Sequence, residues 1–127
     1  MTSSLQEAVH SFYAACNQLL SGDPTRMQQI WSDSDDISHL GPTGEIYRGR
    51  QAVMEQMAKE SGEFKGSFAA IDPHIVATAD MGYVVCTERS QGLNLNGQHI
   101  SVNVRATTIF RKQAGHWFVV HNHTDHL

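Results

Sequence analysis

The hydrophobic pattern of this 127-residue chain changes period once, near Phe64, and that change limits the fold more than any other feature. Before it, apolar residues recur every three to four positions; after it they alternate, so helices come first and strands last. Leu5, Ala8, Val9, Phe12, Cys16, Leu19 and Leu20 hold one helical face from a capping box at Ser4-Leu5-Gln6-Glu7 to Gly22, a residue that ends helices without steric cost. Asp23-Pro24 predicts a short second helix with Met27, Ile30 and Trp31. A third opens at Gly49, puts Val53, Met54, Met57 and Ala58 on one face, and ends at Gly62. Between the last two, residues 37–40 and 45–48 read as a two-stranded ribbon around the turn Gly41-Pro42-Thr43-Gly44.

The second half reads as four long strands. Residues 64–79 are extended with a bend at Asp72-Pro73, Asp80-Met81-Gly82 leads into 83–91, and Asn96-Gly97 is a tight hairpin signal before 99–111. A turn over residues 112–115 precedes the final strand. Helices followed by antiparallel strands predict an α+β domain, with three N-terminal helices over a strongly curved sheet. Such a cone leaves a pocket at its wide end.

Composition fits one domain over 1–127, with 40% hydrophobic and 17% charged residues. A net charge of −4 offers no basic footprint, so neither nucleic acid nor an anionic membrane is an expected partner. No apolar run approaches the roughly 18 residues of a membrane span, and no signal-peptide pattern opens the chain, which makes the cytoplasm the expected location. Cys16 and Cys86 are unclustered and read as small buried residues.

The final strand carries the functional question. Alternation puts Trp117, Val119, His121 and His123 on one face, with Phe118, Val120 and Asn122 on the other. Because Trp117 and Val119 mark a packed face, both histidines need buried partners or a cavity. Counting back from the turn pairs Phe110 with Trp117, Thr108 with Val119, Ala106 with His121 and Val104 with His123. Glu88 on the preceding strand is then placed to hold an imidazole. Arg105 falls on the opposite face in this register, and one bulge would bring it to the pocket, so it stays a candidate ligand contact. His39, at the ribbon turn, is a further acid–base candidate, since imidazole titrates near neutral pH. Trp31, Tyr47, Met54 and Met57 suit a pocket wall as well as a core. Two histidines at i and i+2 can also hold a metal, but no supporting cysteine or acidic triad has suitable spacing, so neither a metal nor another cofactor is expected.

The order of elements, the Gly22-Asp23 step, the Gly41-Pro42-Thr43-Gly44 turn leading to Arg48-Gly49, and the ending Gly115-x-Trp117-x-x-Val120-His121-x-His123 resemble the nuclear transport factor 2-like superfamily. Within it the chain is most similar to SnoaL-like and ketosteroid-isomerase-like proteins. Asp72-Pro73-His74-Ile75 and the ending also resemble the association domain of calcium/calmodulin-dependent protein kinase II. The resemblance implies a cystatin-like roll, and Val102, Val104, Ile109 and Phe110 put apolar groups on both faces of residues 101–111, more than one core requires, which predicts a homodimer packed through the outer face of the sheet. It places His39 near the isomerases' proton-shuttling aspartate and Tyr13 near their helix tyrosine, with no aspartic acid matching the one that completes their oxyanion hole. The kinase domain's pocket arginines are replaced by Glu88 and Thr108.

The expected function is binding of a small, partly apolar molecule, with proton transfer of the isomerase or dehydratase kind. His39 would act as general acid or base, His121 and His123 would polarise a carbonyl or hydroxyl, and Glu88 would orient an imidazole; Trp31, Tyr47, Met54, Met57, Trp117, His123 and Arg105 would contact the ligand. The alternative is a non-enzymatic binding or oligomerisation domain.

Overall fold

The computed structural model describes residues 4–127. Helix α1, Leu5–Leu19, starts where the Ser4 hydroxyl oxygen accepts the Glu7 N–H at 3.2 Å, and it buries Leu5, Ala8, Val9, Phe12, Ala15 and Leu19. Helix α2 spans Thr25–Ile30, strands β1 and β2 are Ser38–Leu40 and Ile46–Arg48, and helix α3 is Arg50–Glu63. Helix α3 runs through Gly62 to Glu63 and leaves Ala58 exposed, so its buried face is the narrower set Val53, Met57 and Ser61. Strands β3 (Phe64–Ala77), β4 (Met81–Leu95), β5 (Gln98–His99), β6 (Asn103–Gln113) and β7 (His116–His126) follow. No helix among the described residues is long and apolar enough to cross a membrane.

The sheet order is β2-β1-β7-β6-β4-β3, with β5 paired to β4. All neighbours are antiparallel except β1 and β7, which run parallel and bring His39 beside Asn122. Curvature comes from bulges. The β3–β4 ladder shifts between Lys65 and Ser67 and again between Ile71 and His74, the second at the expected Asp72-Pro73 bend. Gly66 sits at the first shift with φ 141°, where a Cβ would lie 2.7 Å from the Gly92 carbonyl oxygen, so only glycine lets β3 and β4 cross this closely.

The closing hairpin corrects the expected register. Its turn is two residues, Ala114-Gly115, both with positive φ, and not the four residues 112–115. Lys112 therefore pairs with Trp117 and Phe110 with Val119. The ladder then shifts, so that Ile109 pairs with His121 and Val120 is the extra residue of a bulge. Val119 and Val120 are both buried, and alternation restarts out of phase: Asn122 and Thr124 face inward. His121 and His123, opposite Ile109 and Thr107, face outward with Arg105. One extra residue thus moves both histidines off the helix-covered face.

The core lies between α1 and the inner face of the sheet. Phe110, fully buried, meets Phe12 edge-on at 6.2 Å, and the same core cluster includes Val84, Val119, Ile37, Val53 and Leu93.

Candidate active site

Beyond this core, the helices and the sheet part. Tyr13 and Cys16 on α1, Met54 on α3, Tyr47 on β2, and Phe64, Phe68 and Val102 pack against the core but keep accessible surface. His39, Glu60 and Glu88 are likewise hemmed in by protein and only half-buried. These half-buried side chains border the space between α1, α3, the ribbon and the inner sheet face, called the recess below.

His39 is held on three sides. Its ring stacks on Tyr47, its ribbon partner, at 5.9 Å and 11°, and stands edge-on to Trp31 at 6.4 Å. On the third side is Asn122, whose amide donates to Thr108 Oγ1 at 2.9 Å. That bond leaves the Asn122 oxygen to accept from the imidazole. His39 Nδ1 is buried and has no partner among the described residues. Burial pushes the His39 pKa below the ordinary value, against the hydrogen bonds to Asn122, and His121 pushes in the same direction as burial. The lowered pKa favours the neutral imidazole as pH falls through the ordinary histidine range.

Glu88 is organised by α1. The Tyr13 hydroxyl donates to Glu88 Oε2 at 2.7 Å and lies 3.0 Å from Cys86 Sγ. Burial raises the Glu88 pKa and outweighs the bond from Tyr13, which lowers it. Burial also raises Tyr13, Cys16 and Cys86. Glu88 and Tyr13 thus form a hydrogen-bonded pair across α1 and the sheet, with the carboxyl held above its ordinary range by burial. His39 and Glu88 do not touch: β7 and β6 lie between their strands, and the row from His39 crosses Asn122 and Thr108 to Val84, four residues before Glu88.

The remaining expected residues separate by face. Met57 and Trp31 are buried, and Met54 and Tyr47 are half-buried at the recess. Trp117 is buried under Lys112, whose Nζ lies 5.8 Å from the ring centre, so it belongs to the core. His121 bonds Ser38 Oγ through Nδ1 at 2.7 Å on the outer face, and Arg105 pairs there with Asp125 at 2.6 Å. Neither reaches Glu88 in the recess, and neither does the exposed His123. Asn122, Thr108, Cys86 and Glu60 were not expected; the unbroken apolar run from Trp117 to Val120 hides the bulge, because it shows no alternation to break. Among the described residues no group of three His, Cys, Asp or Glu side chains is arranged to hold a metal.

Two open clefts lie elsewhere. One of about 360 Å³ is on the outer face, walled by Val76, Tyr83, Val85 and Ile109. The other, about 540 Å³, adjoins the start of β7 between Trp31, Arg50, Gln113 and Phe118. Arg50 is engaged there with the carbonyls of Gln28, Trp31 and Ser32. Neither cleft contains His39 or Glu88.

The family model for the SnoaL-like domain matches residues 5–124. The chain belongs to the SnoaL-like family. Solved structures agree on the fold of this SnoaL-like domain. A candidate dehydratase of the NTF2-like family from Streptomyces avermitilis superposes with a TM-score of 0.82 at 23% identity, covering 97% of this chain and 93% of that one. A candidate calcium/calmodulin-dependent protein kinase type II association domain from Thiobacillus denitrificans gives 0.74 at 23% identity, covering 98% and 95%. An uncharacterized protein with a cystatin-like fold from Caulobacter vibrioides gives 0.76 at 18%, covering 97% and 87%. No functionally curated protein matches the chain. At these identities the likeness extends to the fold alone.

Proposed function

We propose that this SnoaL-like domain binds a small, partly apolar organic molecule in the recess and moves a proton on it, in an isomerase or dehydratase type of reaction. His39 takes the proton, and Glu88, backed by Tyr13, supplies or receives one at the far side. The half-buried imidazole of His39, clamped between Tyr47 and Trp31 with its pKa lowered by burial, carries this reading. Support also comes from the wall of Met54, Tyr47, Phe64 and Phe68, which suits an apolar body. The candidate dehydratase from Streptomyces avermitilis shares the fold and is consistent with this reaction class. Outer-face His121, His123 and Arg105 have no part in it.

Nuclear magnetic resonance of the histidine rings tests the reading. Titration with 4-phenyl-2-butanone should shift the His39 resonances and leave those of His123 in place. Shifts confined to His121 and His123, or none at all, would sink it.

The non-enzymatic alternative has its own observation. Met81 and Tyr83 are each 39% exposed on the outer face beside Val76, Val85 and Ile109, a contiguous apolar patch of the kind that seats a second copy. We assign the homodimer contact to this face. Sedimentation should show a dimer for the native chain and a monomer for Ile109→Arg; a native monomer at tens of micromolar, or a dimeric variant, contradicts the assignment.

A further inference from the structure

The cleft of about 540 Å³ beside the start of β7 has no part in the proton-transfer scheme. Three stretches of chain wall it: Gln28 on α2 with Trp31 just after it, Arg50 at the start of α3, and Gln113, His116 and Phe118 on the β6–β7 hairpin. Its volume lies in the range of small-molecule sites, roughly 300–1,000 Å³.

The free polar groups of this wall are chiefly donors. Arg50 donates to the carbonyls of Ser32 at 2.5 Å, Gln28 at 3.1 Å and Trp31 at 3.4 Å, which uses at most three of the five N–H bonds of a guanidinium. The carbonyls hold the fork in place without neutralising it, and Arg50 has no ion-pair partner among the described residues. Gln113 Oε1 accepts from the hydroxyl of fully buried Ser32 at 2.8 Å, so its amide NH₂ is left to donate. Two of the three buried side-chain nitrogens without a partner among the described residues, Trp31 Nε1 and His116 Nδ1, belong to this wall, and an indole N–H can only donate. Asp33, the acidic residue of the wall, is exposed, where water and salt screen its charge; Arg50 is half-buried. A fixed cation beside spare donors complements an anion, and Phe118 adds a flat apolar ring.

We propose that this cleft is a second binding site and that it takes a small aromatic carboxylate. The carboxylate accepts from the remaining N–H bonds of Arg50 and from the Gln113 amide, and the ring lies against Phe118. The site contains neither His39 nor Glu88 and does not depend on the reaction proposed for the recess.

Nuclear magnetic resonance of the indole N–H groups of the full chain at pH 7 tests this, because the sequence has 2 tryptophans and Trp117, packed under Lys112, serves as the internal control. Phenylacetate should shift the Trp31 resonance saturably and leave that of Trp117 in place. It should bind at least about tenfold more tightly than 2-phenylethanol, the gain of a charge-assisted bond, and 2-phenylethylamine should bind worst. Gln113→Glu keeps the acceptor for Ser32 and replaces the amide donors with a negative charge, so it should weaken phenylacetate by a similar factor. Arg50→Gln, checked for its fold by circular dichroism, should remove the preference for carboxylate over alcohol. Glu88→Gln, in the recess, should leave phenylacetate affinity unchanged. Equal binding of phenylacetate and 2-phenylethanol, or an unmoved Trp31 resonance, overturns the site. So does phenylacetate binding that Gln113→Glu leaves intact and Glu88→Gln alters, which places the probe in the recess; a carboxylate preference that survives Arg50→Gln overturns the role of Arg50.

Discussion

A His39→Gln chain is expected to fold normally and to lose roughly 10²–10⁴-fold of its turnover of an enolisable or β-hydroxy ketone. Glutamine keeps a polar group beside Asn122 and a flat surface against Tyr47, so the ribbon retains its packing; what disappears is the titratable imidazole. His121→Gln serves as the control, because that ring faces outward against Ser38 and should leave turnover unchanged. The pH dependence has a definite sign. Burial lowers the folded-state pKa of His39, so its base form persists as pH falls through 6.5, and the rate should decline only below that. Stability moves the same way: between the folded-state pKa and 6.5 the unfolded chain binds the extra proton, so this contribution is lost as pH falls through that window. Glu88 acts oppositely. Its raised folded-state pKa makes the native chain bind more protons above 4.5, so its contribution is lost as pH rises, and Glu88→Gln should remove that decline. Equal turnover in the His39 and His121 variants would refute the assignment of the base.

The fold was legible because its signals are local and redundant. The Ser4 cap, the Asn96-Gly97 turn with φ of 51° and 84°, the Asp72-Pro73 bend and the change of period at Phe64 each act through neighbouring residues, and all agree. The site was legible only in part. His39, Tyr47 and Glu88 were visible as residue types in plausible elements, and all three are half-buried. His121 and His123 were assigned by strict alternation, which a single unpaired residue reverses without any change in composition. The roles of Asn122 and Thr108 follow from that reversal and were hidden with it. Tyr13's bond to Glu88 joins residues 75 positions apart, across α1 and the sheet, a distance at which periodicity carries no information.

The bulge also fixes where the fold is most sensitive. Opposite it stands Phe110, with no exposed surface, filling the space that Val119 and Val120 frame on the inner face and meeting Phe12 edge-on. Phe110→Ala removes a ring from a site backed by a helix and two strands that cannot collapse onto it, so it should cost about 3–5 kcal/mol. For a domain of this size that lowers the melting temperature by roughly 10–20 °C. Deleting Val120 tests the geometry separately. Val119 would still pair with Phe110, and His121 would follow directly opposite Ile109 in an unbroken ladder, so the histidines stay outward and Asn122 stays against Thr108. The expected loss is only that of one buried valine, roughly 1.5–3 kcal/mol, with His39 chemistry retained. Thermal unfolding followed by circular dichroism distinguishes the two. If deleting Val120 proves as damaging as Phe110→Ala, the bulge is part of the core's support and not merely a change of phase; if Phe110→Ala costs under about 1.5 kcal/mol, the packing between α1 and the sheet is looser than this arrangement requires.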